Sequence, residues 1–370
     1  MMKIPVSTPV LDQNDAKAVA KTIEQSLISG LCGDQVAQFE SQFAAYSDCK
    51  YGIAVNSGTT ALHLAMVALG IGPGDEVLVS TQTNMATFFA VLYTGAKPIP
   101  IDILPDTLNL NPDLLEPHLT NRTKAVLVVH LFGLSCDMKP IVNFCAKHKL
   151  FLVEDCAEAH GATYQSRKVG SFGDFGCFSF YANKIITTGE GGMLTTNNEA
   201  LAEKVRGLKS LAFGSTNKFM HVDIGFGFRM SNIQAALGVT QLAKIDTIIA
   251  RKRRVAEIYT DKLRLLPLQL PLETPETFNV YWMYHIIIDD IKKYPRDHVM
   301  RELQAAGIET RETFIPYNLQ EIFLARGLTH AEACPVANQI AYAGFYLPSG
   351  PNLTIDEQQY IVDNLKRILA

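Results

Sequence analysis

The chain has 370 residues, too long for one compact core and suited to two domains. It is 48% hydrophobic and 19% charged, with a net charge of −4, which excludes a disordered chain and gives no reason to expect a nucleic-acid or membrane partner. No apolar run approaches the ~18 residues that span a bilayer, and "MMKIPVSTPVLDQND" is expected to be neither a signal peptide nor an anchor.

In chain order, residues 14–28 and 35–47 read as helices, and Asn56 to Leu69 as a helix opening from a turn of small polar residues. Short apolar runs then alternate with helical segments: Glu76–Ser80, Lys97–Ile101, Ala125–Leu131 and Leu150–Glu154. That alternation predicts a mostly parallel sheet covered on both faces. Cys177–Tyr181 and Gly192–Thr196 read as two further strands, and Asn232 to about Leu265 as one long helix. After the Pro- and Thr-rich "LPLQLPLETPETFNV" the pattern resets, with a strand over Tyr281–Ile288, a helix over Arg296–Ala306 and a closing helix over Thr354–Ile368. Thr354 and Glu357 have the spacing of a capping box. The expected division is 1–250 for a large domain, N-terminal segment included, and 251–370 for a small one. The basic run Arg251–Arg254 reads as a solvated helix face. Seven scattered cysteines without a CxxC pair indicate neither a zinc site nor a disulfide framework and fit a reducing cytoplasm.

Three features carry chemistry. "NSGTTALHLAM" puts Ser57, Gly58, Thr59 and Thr60 where a helix begins, and the free amides of a helix N-terminus suit a phosphate. The same residues would also serve as a plain N-cap. "FLVEDCAEAHGA" ends an apolar strand in Glu154 and Asp155, and strand carboxyl ends of parallel sheets are where ligands bind. Asp155 there suits a base, a metal ligand or the counter-ion of a cation. His160 and Glu158 do not match a metal spacing, so no metal is expected. Lys184 lies 29 residues after Asp155, between a β-like run and the turn Gly189–Gly192. Pyridoxal phosphate needs all three: an anion seat, an amine for its aldehyde and a carboxylate for its ring nitrogen.

The stretches "NSGTTALHLA", "GPGDEV", "HLFGLSCDM", "EDCAEAHGATY", "GSFGDFGCFSFYANKIITTGEGGM" and "FRMSNIQAALGVTQL" resemble the DegT/DnrJ/EryC1/StrS family of sugar aminotransferases nearly end to end. The resemblance implies the α/β architecture of fold-type I PLP-dependent aminotransferases, with a mostly parallel seven-stranded sheet and a smaller C-terminal α/β domain. It implies that Lys184 carries the cofactor and moves the proton, that Asp155 pairs with the ring nitrogen, that Glu158 lies near the ring hydroxyl, and that Ser179 binds the phosphate with Ser57, Gly58 and Thr59. His160, Glu190, Arg229, Arg311 and Tyr317 are the implied substrate-side residues. Three positions depart from the family pattern: Asn84 stands where an aromatic residue stacks on the ring, Gly227 where an Asn reaches the partner's phosphate, and Asn318 where a His nears the substrate. "SFYANKIITTGEGGM", "YWMY" and "GIETRETFIP" are most similar to members that aminate C4 of a nucleotide-linked 4-keto-6-deoxy sugar, with glutamate as donor. The implied assembly is a homodimer with shared active sites. Two alternatives are an aminotransferase for another keto-sugar or keto-cyclitol, and a PLP-binding protein without turnover. His160, Cys156, Cys177 and Trp282 also read as packed core residues, and His130 as a strand-end residue.

Overall fold

Seven apolar runs form the central sheet: β1 (Tyr51–Val55), β2 (Glu76–Ser80), β3 (Lys97–Ile101), β4 (Thr123–Val129), β5 (Phe151–Asp155), β6 (Phe175–Ser179) and β7 (Gly192–Thr196). They belong to a computed structural model that describes residues 3–217 and 219–370. The strand order is β1-β7-β6-β5-β4-β2-β3. The neighbours from β6 to β3 are parallel, while β7 runs antiparallel to both β6 and β1.

The two-residue period of a strand divides the sheet's side chains between its faces. Val77, Val79, Leu127 and Val129 pack on one side with residues of the helix Gly58–Ala68, while Leu78, Val126 and Val128 pack on the other with Met138, Ile141 and Phe144. Apolar burial on both faces is why these runs are continuous rather than alternating with polar residues.

A second core gathers Ile4, Tyr259, Tyr284, Ile286, Val299 and Ile361, among others, around an antiparallel four-stranded sheet. The strands there are Leu268–Gln269, Tyr284–Ile288, Gly344–Leu347 and Arg311–Glu312. The N-terminal segment, expected in the large domain, pairs Ile4 with Ile308 and packs into this C-terminal core. The helix Ile245–Leu263 serves both cores, giving Ile245, Ile248 and Ile249 to the first and Val255, Tyr259 and Leu263 to the second.

Two expected elements are corrected. The helix expected from Asn232 to Leu265 is two helices, Asn232–Leu242 and Ile245–Leu263. At the break Lys244 turns out to bind Asp12 at 2.8 Å and Asp15 at 2.5 Å, which ties the junction to the first helix. The strand expected from Tyr281 starts at Tyr284, because Tyr281 has φ 48°. A Cβ on Gly133 would lie 2.8 Å from the Trp282 amide nitrogen, so only glycine lets these two loops meet. The capping box at Thr354 and Glu357 opens the last helix, Ile355–Ile368. Among the described residues no helix is long and apolar enough to cross a membrane.

Candidate active site

The carboxyl ends of β4 and β5 bring three acids and a histidine together below the sheet's edge. Asp155, the last residue of β5, is buried, and its two oxygens accept from the Thr87 hydroxyl at 2.8 Å and the Ala157 amide at 3.1 Å. Burial pushes its carboxyl up, and those donors, with the Lys184 amine nearby, hold it back. Glu158 follows on the same loop. Its Oε2 accepts the Phe132 amide at 2.9 Å, and burial raises the carboxyl to about 7 against the pull of Lys184 and that amide.

Glu154 has a different task. It accepts from the amides of Gly170, Phe172 and Gly173 and stands 3.1 Å from His130 Nε2. His130 Nδ1 accepts the Cys136 amide, so its ring proton sits on Nε2 and faces Glu154. His130, Glu154 and Cys156 cluster closely enough to suggest a metal. The Glu154 oxygens are already filled by N–H donors, which makes the cluster a hydrogen-bonded anchor for the loop before β6.

Lys184 leaves β6 by a short turn. Its side chain is 12% exposed, its amine lies 4.0 Å from Glu158 Oε1, and it sits 4.2 Å from the centre of the Trp282 ring. Burial pushes its ammonium below the ordinary value, and Glu158 and Asp155 pull it back. The outcome is an amine held by charge yet closer to its neutral, nucleophilic form. The Trp282 indole donates to the Asn183 carbonyl at 2.8 Å, so this tryptophan, packed in the first core, clamps the lysine turn.

The third part is the start of the helix Gly58–Ala68. Ser57 caps it with a capping box to Thr60, which uses the Thr60 amide; the Gly58 and Thr59 amides precede the first intrahelical bond. A Cβ on Gly58 would lie 2.7 Å from the Ser179 Cβ, and one on Gly192 would lie 2.2 Å from the Ser57 carbonyl oxygen. Ser179 and Gly192 face each other across β6 and β7. The N-cap expected here is present, and the Gly58 and Thr59 amides that it leaves free lie directly against Ser179.

The sequence signature of the DegT/DnrJ/EryC1/StrS aminotransferase family matches residues 9–366. The chain belongs to this family. It is 41% identical over 373 residues to the GDP-perosamine synthase of Caulobacter vibrioides, covering all of this chain and 99% of that protein. It is 38% identical over 370 residues to the GDP-perosamine synthase of Escherichia coli O157:H7, with both chains fully covered. Among solved structures, an aminotransferase from Psychrobacter cryohalolentis superposes with a TM-score of 0.92 at 32% identity, with 98% of each chain covered. A Streptococcus pneumoniae protein in its PLP form superposes with a TM-score of 0.94 at 26% identity, over 99% of this chain and 98% of that one.

This member of the family is a PLP-dependent aminotransferase, and its residues fit the cofactor. The fit rests on the close approach of the Gly58 turn to Ser179, which leaves the Gly58 and Thr59 amides beside the strand end, on the buried Lys184 amine, whose ammonium burial disfavours, and on the buried carboxyl of Asp155. Lys184 would hold the aldehyde carbon, Asp155 the ring nitrogen, and the Gly58 and Thr59 amides with Ser179 the phosphate. When bound, pyridoxal phosphate supplies the electron sink that lets an amino group pass between carbons.

The other family-implied residues divide. Asn84 is exposed and its side-chain oxygen accepts the Ala86 amide in the turn that leads into a short helix. Gly227 is exposed, with nothing within 4 Å of a Cβ built on it. Arg229 pairs its backbone with Val55 at the end of β1, and its Nη1 is buried without a partner among the described residues. Glu190 and Arg311 are exposed, and Arg311 pairs with Glu309 at 2.6 Å. The strand of Arg311 lies against Tyr346, whose ring nears Phe132 and Trp282, so Arg311 stands one layer out from Lys184.

Two of the implied substrate residues lie in close packing. His160 is fully buried among Phe43, Phe178 and Phe180, and burial lowers its imidazole to about 3, so it is a neutral core residue. Tyr317 is fully buried and stacks on Phe88 with ring centres 4.0 Å apart, and its hydroxyl is buried without a partner among the described residues. Asn318 is also fully buried, bonded to Thr81, Asn338 and the Ala331 carbonyl, so the position the family pattern gives to a substrate-side His anchors a loop here. The residues that sequence reasoning missed are Phe132, Thr83 and Thr87. Phe132 has φ 53°, a conformation rare outside glycine, and this aims its amide at Glu158. The "HLFGL" motif holds the only sequence signal for it, the glycine that follows.

Proposed function

We propose that the chain moves an amino group from an amino acid, glutamate being the expected donor, to the C4 keto group of a nucleotide-linked 4-keto-6-deoxy sugar. The observation that carries this reading is the Lys184 amine, held over Trp282 and beside Glu158 in a chain that matches GDP-perosamine synthases along its whole length. In this reading Lys184 takes the proton from the donor's carbon and returns it to the carbon that receives nitrogen. Asp155 keeps the ring nitrogen charged, and the Gly58 turn with Ser179 fixes the phosphate.

A homodimer with shared sites fits the exposed apolar residues Met220, Val222 and Ile224, which lie just before Gly227 and Arg229. A cytoplasmic location fits seven unpaired cysteines.

The test is a panel assay: enzyme, cofactor and glutamate with GDP-, UDP- and dTDP-linked 4-keto-6-deoxy sugars, read by mass for the amino sugar. Amination of a nucleotide-linked sugar is expected. Amination of free keto-sugars or keto-cyclitols alone would move the substrate class. Failure of every donor to convert the bound cofactor would leave a PLP-binding protein without turnover.

A further inference from the structure

Thr87, in the first turn of the helix Ala86–Leu92, is fully buried and faces Asp155, and Thr83, in the loop between β2 and that helix, is nearly fully buried behind it. Thr87 Oγ1 is 2.8 Å from Asp155 Oδ2, and Thr83 Oγ1 is 2.8 Å from Thr87 Oγ1. An ionised carboxylate only accepts, so the Thr87 proton is committed to Asp155. The Thr83 hydroxyl must then be the donor to Thr87. The chain runs in one direction, Thr83 to Thr87 to Asp155. The four-residue spacing puts both hydroxyls on one side of the turn, and Asn84 between them is exposed.

We infer that Thr83 and Thr87 are positioning residues, a two-hydroxyl relay that keeps the proton on the cofactor's ring nitrogen and off Asp155. The inference rests on the reading that Asp155 pairs with that nitrogen. Asp155 and the ring nitrogen compete for one proton. In a buried site the competition is close, because burial disfavours both charged forms. Each donor bonded to the carboxylate stabilises its ionised form and lowers its claim on the proton. Ala157 supplies one donor and Thr87 the other, one to each oxygen. Thr83 polarises the Thr87 hydroxyl and strengthens that second bond. The other titratable groups facing Asp155 are Lys184, His130, Glu158, Cys156 and Cys177, and among the described residues none of their side chains is hydrogen bonded to it. Among the described residues the only side-chain donor on this carboxylate is therefore the hydroxyl of Thr87.

The experiment loads the enzyme with PLP labelled with nitrogen-15 in the ring and records the ring nitrogen signal for wild type, Thr87→Val, Thr87→Ser, Thr83→Val and Asp155→Asn. Wild type should show a pyridinium. Thr87→Val should move the signal toward unprotonated pyridine and lower kcat of the amino-donor half-reaction about tenfold, which corresponds to about 1.4 kcal/mol, with KM little changed. Thr87→Ser, which keeps the hydroxyl, should restore the pyridinium. Thr83→Val should shift the signal in the same direction by less, and it carries the test alone if Thr87→Val does not fold. A wild-type signal in both valine variants, with the pyridinium lost in Asp155→Asn, overturns the relay and leaves the role of Asp155 intact. A wild-type signal in Asp155→Asn overturns the reading on which the relay rests.

Discussion

Glu158 Oε1 stands 4.0 Å from the Lys184 amine while its Oε2 accepts the Phe132 amide at 2.9 Å. A carboxyl in this place can gain or lose a proton near neutrality, since burial has raised it to about 7 from 4.5. Between those values the folded protein keeps a proton that the unfolded chain has released. That contribution to stability is complete below the unfolded value and is lost as pH rises through about 7. In cofactor-free protein, Glu158→Gln should flatten the fall in stability between about pH 5 and about pH 8 by about 1–3 kcal/mol. Urea denaturation at both pH values measures it, and equal slopes for the two proteins would contradict the assignment.

Lys184→Ala should abolish turnover, and borohydride should fix the cofactor to the peptide containing Lys184. Asp155→Asn should still take up cofactor on Lys184 but lose about a hundredfold or more in the donor half-reaction, the scale of a lost charge-assisted contact of about 3 kcal/mol. Stopped-flow absorbance resolves the two steps. Fixation on another lysine, or a near-normal half-reaction in Asp155→Asn, would refute the roles.

Gly58→Ala places a methyl 2.7 Å from the Ser179 Cβ, so the helix start must move away from the strand end. Overpacking of this kind costs about 1–3 kcal/mol. If the space is the phosphate seat, cofactor affinity should fall by about tenfold or more. Equilibrium titration with PLP checks this; unchanged affinity would place the phosphate elsewhere.

The departures at Asn84 and Gly227 predict a loose hold on the cofactor. Phe88 has no freedom to replace the missing aromatic ring, because it is buried against Tyr317, and Phe226 is engaged with His63 and Phe228. Within its own subunit Gly227 has nothing within 4 Å of an added Cβ, so a side chain there clashes with no residue of the same chain. Gly227→Asn should tighten cofactor binding about tenfold or more, since a hydrogen bond to a charged group is worth about 1.5–3 kcal/mol. Asn84→Tyr should add roughly 1 kcal/mol through ring stacking. Dissociation constants for both variants no better than wild type would mean that other groups already compensate.

Much of this was legible without coordinates. The runs Glu76–Ser80, Lys97–Ile101 and Gly192–Thr196 coincide with β2, β3 and β7, because apolar residues buried on both faces of a sheet stand out between polar turns. Lys184 and Asp155 were readable because each sits beside such a run, and the cofactor's three needs fall in chain order. Ser57 and Thr354 announced their helices through capping residues that act within three positions. These signals are local, so composition and spacing carry them.

Tertiary structure alone decided what surrounds the lysine and the acid. Trp282 reaches Lys184 from a loop nearly a hundred residues further along the chain, beyond the helix that serves both cores, and it does so because Gly133 lets the two loops touch. His160 and Tyr317 look like substrate ligands in their motifs, yet the packing of Phe43, Phe178, Phe180 and Phe88 closes over them. The Thr87 bond to Asp155 joins the helix that follows β2 to the end of β5, with β4 lying between the two strands in the sheet. Such contacts depend on strand order and on which loop covers which strand end. Both are settled by burying the whole apolar surface at once, a sum over the entire chain that no short stretch of sequence contains.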